Sequence, residues 1–182
     1  MTPKTPVFVG FASALLALDQ ITKYLVRQQI PVNGGEIVVI PSFLSITHAS
    51  NKGAAFSALD SFAYRMPLFY AFTAVAVFVL VQGYRQLPGG DRFQAAAMGM
   101  ILSGALGNFT DRVIAGEVTD MVKVYAGFEP LRSWAIAHFR TNVYPIWNVA
   151  DAAIVVGVLM FGVTYWIEWR QARLAPPPTP TE

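Results

Sequence analysis

Four stretches of this 182-residue chain, at about 7–26, 66–84, 93–111 and 146–169, are apolar for long enough to cross a membrane. A hydrocarbon core of ~30 Å takes roughly 20 residues of helix at 1.5 Å rise each. Lipid offers no hydrogen-bond partners, so such runs must satisfy their own backbone groups, which helices do. The fold class expected is therefore an all-α membrane protein with four transmembrane helices. Composition agrees: 54% apolar side chains, 13% charged and a mean hydropathy of +0.46 are too greasy for a soluble domain of this size. The net charge of +2 is small and scattered, so no nucleic-acid partner is expected. With no cysteine there are no disulfides, thiol nucleophiles or thiolate metal sites.

The first run resembles a signal peptide in position only. Lys4 is a thin basic start, the run passes Leu18 into Asp19 and Lys23, and no small-x-small cleavage site follows, so it reads as an uncleaved span. Residues 31–65 change character. Asn33-Gly34-Gly35 is a turn, and Glu36–Ile40 and Phe43–His48 are strand-like segments broken by Pro41, which predicts a small strand-containing lobe at the membrane surface. Pro88-Gly89-Gly90 makes a short connection, so the second and third spans should be antiparallel neighbours. The third span carries Gly99, Ser103, Gly104 and Gly107, a small-residue stripe suited to close packing. Residues 116–144 read as an amphipathic connection lying on the bilayer surface, and 175–182 as a disordered Pro-rich tail. The whole of 1–174 is expected to be one integral membrane domain.

The polar residues within these runs are costly to bury and gather at one end of the expected bundle. Asp19 and Lys23 leave the first span; Asn51 lies in the lobe; Asn108, Asp111 and Arg112 end the third span; Asn148 and Asp151 open the fourth. Asp19 and Lys23 form an i,i+4 pair whose plainest reading is a helix-end ion pair with Lys23 snorkelling to the interface. Arg112 cannot face Asp111 on a helix and is expected to bond loop carbonyls or another carboxylate. Asp120 and Asp151 are the carboxylates to pair: two Asp in contact share a proton, so one can activate water while the other donates. The plainer reading makes Asp120 a solvated loop acid and Asp151 a helix N-terminal acid favoured by the macrodipole. His48 and His138 lack zinc-site spacing, so no metal or other cofactor is expected, and Ser103 lacks the setting of an intramembrane serine nucleophile. A small proton-coupled carrier or channel subunit is the alternative from another class. It would need acids along the bilayer depth, whereas Val75–Val81 and Val155–Phe161 are apolar.

Together the motifs resemble the lipoprotein signal peptidase (signal peptidase II) family. The segments that carry the likeness are Asp19-Gln20-Ile21-Thr22-Lys23, Asn51-Lys52-Gly53-Ala54-Ala55-Phe56, the stretch from Ser103 to Arg112, Val118-Thr119-Asp120-Met121 and Trp147-Asn148-Val149-Ala150-Asp151. The resemblance implies a catalytic pair, Asp120 and Asp151, with Asp19, Lys23, Asn51, Gly53, Asn108, Asp111, Arg112 and Asn148 around it. It implies an aspartic endopeptidase that removes the signal peptide from prolipoproteins, just before a diacylglyceryl-modified cysteine. It also implies membrane lipid and globomycin-type inhibitors as partners and a monomeric enzyme of the bacterial inner membrane. Its termini would be cytoplasmic, and its active site and lobe extracytoplasmic. Lys and Arg do not settle that orientation, with five on the termini side against eight on the other. Trp147 and Met121 stand where the family commonly has Phe, and the connection from Val122 to Tyr144 is long for it.

Overall fold

The computed structural model describes residues 2–53 and 64–174. In chain order these form α1 (Lys4–Gln29), β1 (Glu36–Ile40), β2 (Leu44–Asn51), α2 (Arg65–Gln86), α3 (Arg92–Ala115), β3 (Val118–Val124), α4 (Leu131–Phe139) and α5 (Val149–Leu174). The protein is a mostly helical membrane protein with a small three-stranded sheet. The second half of the expected lobe, including Ala54-Ala55-Phe56, and the Pro-rich tail lie outside the described residues.

Among the described residues, three helices are long and apolar enough to cross a membrane by length and composition: α1, α2 and α5 as far as Gln171. Their outward faces are bare of protein contacts, with Phe72, Val75 and Phe78 on α2 each about 60% exposed. Such faces are stable only against hydrocarbon. The 24-residue α3 differs because it packs against α1, α2 and α5 and buries Ala95–Gly99, Ser103, Gly104 and Gly107. A helix enclosed on several sides needs small residues more than greasy ones. A Cβ on Gly104 would run into the Ala150 carbonyl and Ile154, and one on Gly107 would stand 2.5 Å from Asp19 Oδ2. These two glycines let α5 and the Asp19 carboxylate lie directly on the α3 backbone.

Helix α3 stops at Gly116, whose left-handed φ of 74° closes the last turn onto the Arg112 carbonyl. The next segment is not the surface-lying amphipathic connection expected from the sequence. Val118–Val124 is a strand, paired antiparallel with β2 so that Leu44 faces Val124, Ala49 faces Asp120 and Asn51 faces Val118. The sheet order is β1-β2-β3, and only Leu131–Phe139 of the connection is helical. The local chemistry suits a strand, since Val118, Thr119, Val122 and Val124 are β-branched. The partner that makes it one lies before α2 in sequence. Strand β2 also runs on past His48 to Asn51, which carries Asn51 to the site.

Replacing Gly104 by Ala is expected to cost about 1–3 kcal/mol through overpacking against Ala150. It should lower the thermal unfolding midpoint in detergent. Gly162→Ala, where nothing lies within 4 Å of the added methyl, should leave that midpoint unchanged or raised.

Candidate active site

Asp19 and Lys23 lie one turn apart on α1, and both are fully buried. Lys23 does not snorkel. Its Nζ donates to Asp19 Oδ2 at 2.9 Å, to Asp111 Oδ2 at 3.0 Å and to Asn108 Oδ1 at 3.0 Å, which uses all three ammonium protons. The carboxylates are satisfied from other elements. Asp19 Oδ1 accepts from the Ala150 backbone N–H at 2.9 Å, and Asp111 Oδ2 from that of Thr119 at 3.1 Å. Arg27, one further turn along α1, approaches Asp111 Oδ1 at 3.4 Å and Thr119 Oγ1 at 3.3 Å, and Gln20 donates to Asp19 Oδ2 at 3.0 Å. Two acids and two bases therefore tie α1, α3, β3 and α5 together. Gln20, Arg27 and Thr119 are not among the residues singled out by sequence. Arg27 could have been found from its i,i+4 spacing after Lys23.

Because Lys23 can only donate, the Asn108 amide must present Oδ1 to it and turn Nδ2 the other way, where it donates to Asp151 Oδ1 at 2.8 Å. Asn148 is fixed by a different device. It precedes α5, and its Oδ1 accepts from the Asp151 N–H at 3.0 Å while Asp151 Oδ2 accepts from the Asn148 N–H at 3.2 Å. This reciprocal pair is a capping box. It turns the Asn148 Nδ2 toward Asp120 Oδ1 at 2.7 Å and Asn108 Oδ1 at 3.2 Å. Asn51 supplies the remaining donor, Nδ2 to Asp120 Oδ2 at 2.8 Å, and its own Oδ1 is held by the Gly53 N–H at 2.9 Å. Backbone bonds from Met121 and Val122 to the Trp147 carbonyl draw β3 onto the start of α5, which brings Asp120 and Asp151 to one cleft.

That cleft, of about 790 Å³, is walled by Asn51, Pro145, Ile146, Trp147, Val155 and Val156, with both carboxyl groups in its lining. Burial pushes the Asp120 carboxyl up to about 6, aided by the negative charge of Asp151; the amide donors of Asn51 and Asn148 and the Lys23 ammonium oppose the rise. Asp151 accepts a donor on each oxygen, Oδ1 from Asn108 Nδ2 and Oδ2 from the Asn148 N–H. Two carboxyl groups facing one cleft, one of them pushed above the usual carboxylate range, can pass protons to and from a peptide bond and a water molecule. Arg112 is not where expected. Among the described residues its Nη1 bonds only the Asn108 carbonyl of its own helix, at 3.3 Å, and its guanidinium stacks 4.3 Å from the centre of the Phe69 ring. It acts on Asp151, Asp120 and Asp111 through its charge, without a direct bond.

The fold and site define a helical membrane protein with a pair of amide-oriented carboxyl groups in an apolar cleft at one end of its bundle. The chain belongs to the signal peptidase II family, whose model matches residues 11–167. It is 39% identical to the lipoprotein signal peptidase of Geobacter metallireducens over 163 residues, 90% of this chain and 92% of that one. It is 37% identical to that of Listeria monocytogenes serotype 4b over 160 residues, 88% of this chain and 93% of the relative. Two solved structures of bacterial membrane enzymes share the fold, with TM-scores of 0.76 and 0.73 at 26% and 29% identity. They cover 96% and 88% of this chain, and 96% and 93% of their own.

The opposing influences on Asp120 can be separated by infrared titration of its carboxyl stretch. Asp151→Asn removes a negative neighbour and is expected to bring the Asp120 midpoint down from about 6. Asn51→Leu removes a donor to the ionised form and is expected to move it up. A midpoint that moves in neither variant would contradict this balance.

Proposed function

We propose that this protein is an aspartic endopeptidase of the bacterial inner membrane. It removes the signal peptide from diacylglyceryl-modified prolipoproteins, cutting just before the lipidated cysteine. The observation that carries this reading is the orientation of Asp120 and Asp151 by Asn51, Asn108 and Asn148 within an apolar cleft. Family membership supplies the substrate class, as the relatives are lipoprotein signal peptidases.

The raised Asp120 carboxyl supports its reading as the proton donor, with Asp151 as the base. Asp151 takes a proton from water as the water oxygen attacks the scissile carbonyl carbon, while Asp120 gives its proton to the carbonyl oxygen. As the tetrahedral species collapses, the C–N bond breaks and the proton now on Asp151 passes to the leaving amine. The proton from the hydroxyl then returns to Asp120, restoring the starting state. The carbonyl proton came from Asp120, so the sum is one water consumed and one peptide bond cut. Apolar walls exclude bulk water and so strengthen electrostatic interactions within the cleft.

In this reading α3 is the fourth transmembrane span, which sets both termini on one side, the cytoplasmic one, and the cleft at the extracytoplasmic surface. In the same reading the enzyme is a monomer, and globomycin-type inhibitors would occupy the same cleft. Asp19, Asp111, Asp120 and Asp151 gather at one end of the bundle, and the middle stretches Val75–Val81 and Val155–Phe161 carry no acid, so a proton-coupled carrier is not favoured.

Asp120→Asn and Asp151→Asn are each expected to lower turnover by at least about 10³-fold while the thermal unfolding midpoint stays within a few degrees. Cleavage of a diacylglyceryl-modified prolipoprotein measures the first and unfolding in detergent the second. For topology, Lys52→Cys and Gly90→Cys in this cysteine-free chain should react with an impermeant thiol reagent from opposite faces of the membrane, Lys52→Cys from outside. Labelling of Gly90→Cys from outside would invert the arrangement.

A further inference from the structure

The long connection from β3 to α5 builds something that the acid pair does not use. Leu131–Phe139 roofs a second pocket, of about 520 Å³, against the far end of the sheet, where Phe43, Val124, Phe128, Leu131, Ala135 and Phe139 form its apolar wall. No charged residue lines it, and of its four side-chain amides or hydroxyls, on Tyr125, Thr141, Asn142 and Tyr144, that of Asn142 spends its Nδ2 on the Ala126 carbonyl at 2.9 Å. The roof is pinned at its stem. The Ala126 N–H bonds the Asn142 carbonyl at 2.8 Å and the Gly127 N–H bonds the Ser42 carbonyl at 2.8 Å, where a Cβ on Gly127 would stand 2.6 Å from Ser42 Cα. A preformed, uncharged pocket of this size is suited to a hydrocarbon ligand.

Its position indicates which one. Tyr144 and Pro145 line both this pocket and the cleft that holds Asp120 and Asp151, so the two cavities adjoin across these residues. Along β3, Asp120 and Val124 are four residues apart, roughly 13 Å at 3.3 Å per residue, within the reach of a long acyl chain attached beside the scissile bond. The roof also turns apolar residues outward, with Trp134 and Ile136 exposed, which suits a boundary with lipid and lets a chain enter without crossing water.

We propose that the pocket beneath α4 receives one acyl chain of the substrate's diacylglyceryl group. This rests on the lipoprotein reading above and extends it to a specificity-determining subsite. The test uses the full chain in bilayers with two prolipoprotein peptides, one bearing long (dipalmitoyl) and one short (dibutyryl) glyceryl esters. Ala135→Trp fills the pocket from the middle of its roof, and Leu131→Trp fills it from a position already 42% exposed, which guards against misfolding. In both variants the ratio of kcat/KM for the long-chain over the short-chain peptide should fall at least about tenfold, as expected from losing the burial of a few methylenes. A ratio unchanged in both variants would assign the pocket to a bilayer phospholipid or to the peptide itself and overturn the proposal. Failure of the unmodified protein to cleave either peptide would instead defeat the protease reading, and the two failures are distinct.

Discussion

The Lys23 ammonium is the interaction on which the rest of the structure depends. Burying it with Asp19 and Asp111 costs several kcal/mol of desolvation per ion, offset only because each charge finds an opposite charge and each donor an acceptor. Removing any one partner would strand an uncompensated charge, a loss typically of about 3–5 kcal/mol. Beyond stability, the cluster imposes direction. An ammonium offers no acceptor, so it decides which way the Asn108 amide faces, and through Asn108 it decides what Asp151 receives. A charge with no direct contact to the acid pair therefore sets part of the pair's hydrogen bonding.

The two acids differ because their elements differ. Asp151 lies in the first turn of a helix, where one oxygen accepts a backbone N–H of the cap and the other the Asn108 amide. Asp120 lies on a strand, its two oxygens met among the described residues by neutral side-chain amides, in a cleft walled largely by apolar groups that raises its carboxyl above the usual range. Strand and helix thus give two otherwise identical carboxyl groups different partners. Sheet and bundle both contribute, since β2 and β3 carry Asn51 and Asp120 while α3 and α5, with the residue that caps α5, carry Asn108, Asn148 and Asp151.

Much of this was legible in the sequence, because a charged residue in an apolar run stands out and helical spacing says which of them share a face. Asp19, Lys23, Asn108, Asp111, Asn148 and Asp151 announce themselves that way. The errors share one cause, which is that the deciding partner is remote. Lys23 reads as snorkelling because Asp111, the acid that holds it inside, lies on α3. Val118–Val124 reads as surface-lying because the strand it pairs with precedes α2. Arg112 reads as bonded to a carboxylate or loop because neither the Phe69 ring nor its own helix carbonyl can be seen from local sequence. Gln20 and Thr119 fall inside segments that carry the family likeness, but a glutamine and a threonine give no local sign of the bonds they make to Asp19 and Arg27.

The bond from the Ala150 N–H to Asp19 Oδ1 joins residues 131 positions apart, and the start of α5 alone contributes the capping box that orients Asn148 and Asp151. A chain still being threaded into the membrane thus holds Asp120 without its partner acid and Asp19 without one of its donors. Under the proteolytic reading, the growing polypeptide stays silent until its last helix has docked. The order of synthesis then acts as a safeguard, keeping an unfinished enzyme from cutting neighbours that emerge from the same translocation machinery.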